Sequence, residues 1–292
     1  RMSAKLIRLD KLITDRKLAP SRTAAQLLIE EGRVKVDGAV AKKPASMVSG
    51  AAAIIVDAPE KEWVSRGAYK LLRAFERFPI DARGKRCVDV GASTGGFTDV
   101  LLVNGAALVY AVDVGYGQLA WKLRNDPRVR VMERTNARNL TLDMIDGEKA
   151  GVIVSDASFI SLTLLFGAME NLLADDGVMA VLVKPQFEAG RERVGKGVIT
   201  DPKLHEDILN EVADFIDEHT GLALEAADYS PIRGPEGNIE FLFFLKHKAA
   251  SRGGARPDFR RIVEEAHAHA AQHPNRRSNA NDEGHEKDRT AL

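Results

Sequence analysis

The stretch "CVDVGASTGGF", Cys87 to Phe97, carries a short apolar run into a turn rich in glycine that opens an amphipathic segment. Gly91, Gly95 and Gly96 permit tight curvature and the close approach of a ligand where a Cβ would stand in the way. A structural turn could use the same glycines. The next apolar run, "VYAVD", ends at Asp113, twenty-two residues after Gly91, where a carboxylate can accept hydrogen bonds from both hydroxyls of a ribose. Together the turn and the carboxylate predict a site for an adenosine-containing cofactor. Its candidate contacts are Gly91, Ala92, Ser93, Gly95, Gly96, Phe97 and Asp113, with Asn136 of "ERTNAR" placed near an adenine edge; an ordinary turn asparagine is the plainer reading of Asn136. The spacing is G-x-x-x-G-G rather than the G-x-G-x-x-G of dinucleotide folds, so no pyrophosphate cradle is expected.

Polar residues close three further apolar runs: "VIVSD" ends at Asp156, "AVLVK" at Lys184, and "GNIEFLFFL" carries Glu240. A buried sheet does not choose such residues for packing alone. A fourth candidate is Lys70 in "SRGAYKLLRAFERF", Ser65 to Phe78. Ala68, Leu71, Leu72, Phe75 and Phe78 form the apolar stripe of that helix, and periodicity places Lys70 off it, on the solvated face.

The elements that must position these residues alternate in type. Strands are predicted at Cys87–Val90, Ala107–Val112, Val129–Met132, Val152–Ser155, Val178–Val183, Ala223–Ser230 and Ile239–Leu245, with helices between several of them. That order argues for a doubly wound α/β sheet with ligands at the carboxyl ends of its strands. Ahead of it, "LIRLDKLITDRK" (residues 6–17) and "RTAAQLLIEE" read as two helices, the second capped by Ser21 and stopped by Gly32. "RVKVDGAV" then reads as a short strand with a basic face, turned at Asp37-Gly38. The expected organisation is a small α+β domain over residues 1–59, a linker at 60–64, the α/β domain over 65–250, and a C-terminal helix (257–272) with an unordered polar tail in 251–292.

Lysine and arginine balance aspartate and glutamate at 42 each over 292 residues, which excludes a basic field over the whole molecule. Residues 1–48 nevertheless hold eleven Lys/Arg against five Asp/Glu, the asymmetry of a module that binds a polyanion. No apolar run approaches the length of a bilayer-spanning helix and nothing at the start resembles a signal peptide, so a cytoplasmic protein is expected. The single cysteine, Cys87, lies in a strand and is expected to be a buried structural thiol. His267, His269 and His273 lack flanking ligands and are expected to be solvated; no metal is expected.

Residues 6–52, with "RLDK" and "SRTAAQLLIEEGRVKVDG", resemble the S-four type RNA-binding domain. The resemblance implies phosphate contacts from Arg8, Lys11, Arg22, Arg33, Lys35, Lys42 and Lys43, because such domains read RNA through shape and backbone charge. Arg66, beside Lys70, joins these RNA-binding candidates. "DVGASTGGF" is similar to the cofactor turn of S-adenosylmethionine-dependent methyltransferases. Lys70, Asp156, Lys184 and Glu240 match in order the Lys-Asp-Lys-Glu set of FtsJ-type ribose 2′-O-methyltransferases. Over residues 6–247, "WVSRGAYKL", "DVGYGQLAWKLRNDPRV", "SFISL", "LVKPQFE" and "GPEGNIEFL" resemble the TlyA, or hemolysin A, family.

This resemblance implies a Rossmann-like methyltransferase sheet and methylation of a cytidine 2′-hydroxyl in ribosomal RNA, with S-adenosylmethionine as donor. It makes Lys70, Asp156, Lys184 and Glu240 catalytic and adds Asp156 to the cofactor contacts. Two ammonium groups would favour the alkoxide-like form of a weakly acidic hydroxyl, and two carboxylates would hold them and help remove the proton. Base amines are disfavoured as acceptors because "SDASF" lacks a Pro-Pro-aromatic loop, and cytosine carbon because the only cysteine lies in a strand. The competing expectations are a membrane-active hemolysin and a ribosome-binding protein without catalysis. The first has no spanning segment, and the intact four-residue set opposes the second.

Overall fold

The computed structural model describes residues 6–16, 18–19, 22–30, 32–56, 63–195 and 197–273. The chain divides between Glu62 and Trp63 into two compact units. Most of the expected linker, Ser21 and the tail from residue 274 lie outside the described residues.

The first unit runs β1 (Leu6–Arg8), α1 (Leu9–Asp15), α2 (Arg22–Glu30), β2 (Val34–Val36), β3 (Ala39–Val40), β4 (Met47–Ser49) and β5 (Ile54–Val56). Leu9, Ile13, Ala25, Leu28, Ile29 and Val34 form its core. The expected helix over residues 6–17 is shorter than its periodicity. Leu6–Arg8 is extended and pairs antiparallel with Met47–Ser49, and Arg8 keeps φ −59° and ψ 135° just before the helix begins. Pairing with a distant segment overrides local helical spacing there. The Asp37-Gly38 turn is as expected. Both residues have positive φ, 49° and 86°, and they join β2 to β3 in register Val36↔Ala39, the geometry of a two-residue hairpin.

The second unit begins with α3 (Ala68–Arg77), β6 (Arg86–Val90), α4 (Gly96–Val103), β7 (Leu108–Val112), α5 (Trp121–Arg124), β8 (Val129–Met132), β9 (Ala150–Ser155) and α6 (Phe166–Leu172). It continues with β10 (Leu173–Val183), α7 (Pro185–Glu188), α8 (Arg191–Val194), α9 (Pro202–His219), β11 (Leu222–Tyr229), β12 (Phe241–His247) and α10 (Phe259–Gln272). Its sheet has the strand order β11-β12-β10-β9-β6-β7-β8. Strands β6 to β10 run parallel, while β12 is antiparallel to β10 and to β11. Central strands such as "VMAVLV" are apolar at every position because both faces are covered. Val178, Ala180 and Leu182 point into a core built with α3 and α4. Met179, Val181 and Val183 point into the opposite core with α6, α9 and α10. The helix over 259–272 therefore belongs to the sheet's own core through Phe259, Ile262, Val263 and Ala266.

Two local expectations are corrected. Lys70 is buried, because α3 buries Ala68, Lys70, Leu71 and Ala74 while Leu72 and Phe75 are only partly covered. The buried face is turned from the sequence stripe toward Lys70, and the stacked pair Phe78–Phe244, with centroids 5.3 Å apart, anchors the helix end on the sheet. Of the three histidines expected in solvent, only His273 is exposed. His267 Nε2 lies 2.9 Å from His205 Nδ1 and His269 Nε2 lies 3.0 Å from the Pro231 carbonyl, because the inner face of α10 packs on α9 and on the segment before β12.

Candidate active site

The turn after β6 is tied to its neighbouring strands by backbone hydrogen bonds. The amides of Gly91 and Ala92 both donate to the Val112 carbonyl, at 2.9 and 3.0 Å. After β9 the Asp156 amide donates to the Val90 carbonyl at 3.0 Å. Gly91 adopts φ +84° and passes so close to the β9 turn that a Cβ would stand 2.8 Å from Ala157 Cα. At Gly96 a Cβ would lie 2.4 Å from Ser65 Oγ and 2.8 Å from the Ala68 amide nitrogen. The glycine turn and the start of α3 are therefore in direct contact, which sets Lys70 against the turn.

Asp113 stands at the end of β7 as expected. Its Oδ2 accepts from the Ser93 amide at 2.8 Å and its Oδ1 from the Gly115 amide at 2.7 Å. Each oxygen keeps a lone pair for a further donor. Asn136 is exposed, and its side-chain oxygen accepts from the Arg138 amide at 3.0 Å, the turn-asparagine role. Beneath the glycine turn lies Asp89, fully buried in β6. Thr98 Oγ1 donates to its Oδ2 at 2.7 Å, while Oδ1 has no partner. Burial pushes this carboxyl up to about 7.

Lys70, Asp156, Lys184 and Glu240 come from four separate elements and meet in one network. Lys70 Nζ lies 2.6 Å from Glu240 Oε2 and 3.3 Å from Asp156 Oδ2. Lys184 Nζ lies 2.7 Å from Asp156 Oδ1 and also donates to the Asp156 carbonyl at 3.2 Å. Glu240 precedes β12 instead of lying within a strand. Since β12 runs antiparallel to β10, with Phe241 opposite Val183, its amino end falls at the sheet edge where β9 and β10 end. That reversal carries Glu240 to Asp156 and Lys184.

Exposure is 6% for Lys70, 5% for Lys184 and 1% for Glu240, against 19% for the Asp156 side chain. Burial by itself lowers the pKa of Lys70, but Asp156 and Glu240 outweigh it and the net direction is upward. Lys70 is held as an ammonium ion. The network opens on a cavity of about 640 Å³ that it shares with Gly91, Ala92, Ser93, Gly96 and Phe97. Arg66 also lines this cavity.

Sequence reasoning missed Ser158, whose Oγ accepts from Lys184 Nζ at 2.7 Å. It quoted "GPEGNIEFL" but gave Gly234 no role, and a Cβ there would come within 2.5 Å of Glu240 Oε1. Neither residue carries a periodicity signal. Phe159 was also passed over; it is 90% exposed, has φ +63° and pairs with Phe187 at a centroid distance of 5.1 Å. Cys87 is buried, and burial pushes its thiol up to about 12, so it is not a nucleophile.

In the first unit Asp10 is fully buried. Arg8 Nη2 lies 2.8 Å from its carboxylate and Arg22 Nε 3.2 Å. Arg8 above all holds the Asp10 carboxyl far below the usual range, with Gln26 and Arg22 adding to it. Lys11 pairs with Asp15 at 2.7 Å, and Arg33 is half-buried. Lys35, Lys42 and Lys43 are exposed. Among the described residues no group of three or more His, Cys, Asp and Glu is placed to hold a metal ion, and no helix is long and apolar enough to cross a membrane.

Comparison with known proteins gives the same division. The family described as FtsJ-like methyltransferase matches residues 63–247, and the S4 domain matches residues 7–54. A Mycobacterium tuberculosis protein named 16S/23S rRNA (cytidine-2'-O)-methyltransferase TlyA is 46% identical over 267 residues, covering 90% of this chain and 99% of the relative. Hemolysin A of Brachyspira hyodysenteriae is 43% identical over 81% of this chain and 98% of its own. The solved structure of a Streptococcus thermophilus protein classed with the hemolysins shares 36% identity over 92% of this chain and 98% of that one, with a TM-score of 0.68. Identity of 46% over 90% of this chain, with a methyltransferase match over most of the second unit, establishes that the chain, an S4 domain followed by an FtsJ-like methyltransferase domain, belongs to the TlyA family.

Proposed function

We propose that this protein methylates the 2′-hydroxyl of a cytidine in ribosomal RNA, with S-adenosylmethionine as the donor. The observation that carries the reading is the buried Lys70–Asp156–Lys184–Glu240 network, opening on the same cavity as the glycine turn. The donor fits the residues present. Gly91 leaves no room for a side chain between the β6 and β9 turns, Asp113 offers ribose acceptors, and the unpartnered Asp89 Oδ1 lies under the turn. Gly91, Ala92, Ser93, Gly95, Gly96, Phe97, Asp113 and Asp156 would hold it, while Asn136, occupied in its own turn, has the weakest claim. When bound, S-adenosylmethionine supplies an electrophilic methyl group on a sulfonium centre.

The chain's own groups prepare the hydroxyl. Asp156, the most open of the four, is the carboxylate that an entering hydroxyl reaches, and it orients that hydroxyl by accepting its hydrogen. Lys70, held charged by two carboxylates, and Lys184 place two ammonium groups beside the oxygen and favour its alkoxide-like form. Lys184 has three acceptors for its three N–H bonds, Asp156 Oδ1, the Asp156 carbonyl and Ser158 Oγ, which fixes its head. Glu240 orients Lys70. Rate then comes largely from positioning. Phe159 offers a ring on which an RNA base can stack.

RNA binding by the first unit rests on Lys35, Lys42 and Lys43, with Arg8, Lys11, Arg22 and Arg33 contributing where their ion pairs leave donors. Residues 1–59 are then the RNA-binding domain, 60–64 the linker and 65–250 the catalytic domain, followed by the helix and tail of 251–292. A ribosomal substrate places the activity in the cytoplasm. The test is incubation of the purified protein with ribosomal subunits from cells lacking it and with labelled methyl donor, followed by mapping of alkali-resistant linkages. A new resistant linkage after a cytidine is expected. Label on a base, or on no RNA, would overturn the reading.

A further inference from the structure

The catalytic cavity shares a wall with a second one of about 790 Å³. Arg66, Ile232 and Arg233 line both. The far side of the second cavity is the end of α10, with His269, Gln272 and His273. No carboxylate lines it among the described residues.

Arg233 donates through Nη2 to the Ala270 carbonyl at 2.6 Å, and its buried Nε has no hydrogen-bond partner. A guanidinium with donors to spare on a wall without carboxylates is arranged for an anion from outside the chain. Beyond it the imidazole rings of His269 and His273 are stacked, with centroids 4.4 Å apart. His269 is fixed by its contact with the Pro231 carbonyl. A guanidinium wall followed by a fixed aromatic face is a combination that serves a phosphate and a base.

The chemistry of the substrate gives the direction. In RNA the 2′-oxygen sits on the carbon next to the one that carries the 3′-phosphodiester. A strand that offers its hydroxyl to Asp156 therefore brings that phosphate to the wall of the catalytic cavity. We propose that the second cavity is the subsite for the nucleotide immediately 3′ of the methylated one, with Arg66 and Arg233 taking the intervening phosphate and His269 and His273 facing its base. This rests on the RNA methyltransferase reading and adds to it the path of the strand.

The experiment uses the full chain and isolated ribosomal subunits. Arg66→Ala and Arg233→Ala should each raise the subunit concentration giving half-maximal single-turnover methylation by about tenfold, and each should flatten its salt dependence by about one phosphate's share, roughly 0.7–0.9 in log–log slope. Affinity for S-adenosylmethionine alone should be unchanged. Arg66 has an exposed side chain, so it tests the charge without releasing the Ala270 carbonyl. As Cys87 is buried, Ala271→Cys places a single accessible thiol beside the cavity for a short photoreactive label. The crosslink should fall on the nucleotide 3′ of the methylated cytidine. An unchanged half-saturation and salt slope in both arginine variants, a loss only in the rate at saturating subunits, or a crosslink elsewhere in the RNA overturns the subsite. Failure of the wild type to methylate any ribosomal RNA overturns the enzymatic reading itself.

Discussion

Lys70 Nζ lies 2.6 Å from Glu240 Oε2, and the glutamate's other oxygen faces Gly234 so closely that any side chain there would enter it. Glu240 is buried away from water, and its charge is balanced locally by the lysine. The Lys70 ammonium, which we propose to be catalytic, is thus also a structural counterion, and removing either partner leaves the other charge buried.

Lys70→Ala should therefore do more than stop methyl transfer. Breaking a buried pair on one side costs about 3–5 kcal/mol of stability, so urea unfolding should show a clearly lowered midpoint. Adding Glu240→Gln to Lys70→Ala should restore much of that stability and none of the activity. Wild-type stability in Lys70→Ala would mean that Glu240 finds another counterion.

Asp113→Ala should weaken S-adenosylmethionine binding by about 1–3 kcal/mol, the range for charged hydrogen bonds to a buried polar partner. It also releases the Ser93 and Gly115 amides, so Asp113→Asn, which keeps one acceptor, should fall between alanine and wild type. Titration calorimetry separates the three, and equal affinities would move the adenosine site elsewhere.

Ser158→Ala removes one of the three acceptors of Lys184. Losing a hydrogen bond to a charged group costs about 1.5–3 kcal/mol, which corresponds to a roughly 10- to 150-fold slower chemical step. Single-turnover rates at saturating substrate should show the loss, and Ser158→Thr should recover part of it. Equal rates for Ser158→Ala and wild type would remove the serine from the network.

Asp89 has its folded pKa raised from 3.8 to about 7 by burial. Between those values the folded state holds a proton that the unfolded state has released, so this group's stabilising contribution is present below about pH 4 and lost as pH rises to about 7. Asp89→Asn can still accept from Thr98 and carries no charge. Its melting temperature relative to wild type should rise between pH 5 and pH 8, and a constant difference across that range would contradict a protonated Asp89.

In the first unit, Lys42→Ala with Lys43→Ala should lower RNA affinity and its salt slope without altering thermal stability, because both side chains are exposed. Arg8→Ala should instead lower stability, since Asp10 is buried against it. Melting curves and binding titrations on the full chain distinguish the two behaviours, and identical effects would show that Arg8 is only another surface cation.

How far the sequence alone determines the molecule follows from which interactions are local. The glycine turn, Asp113 and the Asp37-Gly38 hairpin are readable because φ > 0 and a strand-end carboxylate are properties of a few adjacent residues. The alternation of strands and helices, and so the sheet with two covered faces, is legible for the same reason. Asp156, Lys184 and Glu240 stand out in the sequence as polar residues at the ends of apolar runs, and with Lys70 they match a family pattern, but their meeting in one network is not legible there. Periodicity put Lys70 in water because it scores a helix against an average core, whereas α3 packs on one particular face that it shares with Gly96 and Ala68. Glu240 reaches the site because β12 runs backward beside β10, a topological fact no local spacing encodes. Ser158, Arg233 and the buried side of α10 were invisible for a like reason: each acquires its role from a partner distant in the chain. Residue types and short-range conformation set what chemistry was available, and only long-range packing decided which charges would meet out of water.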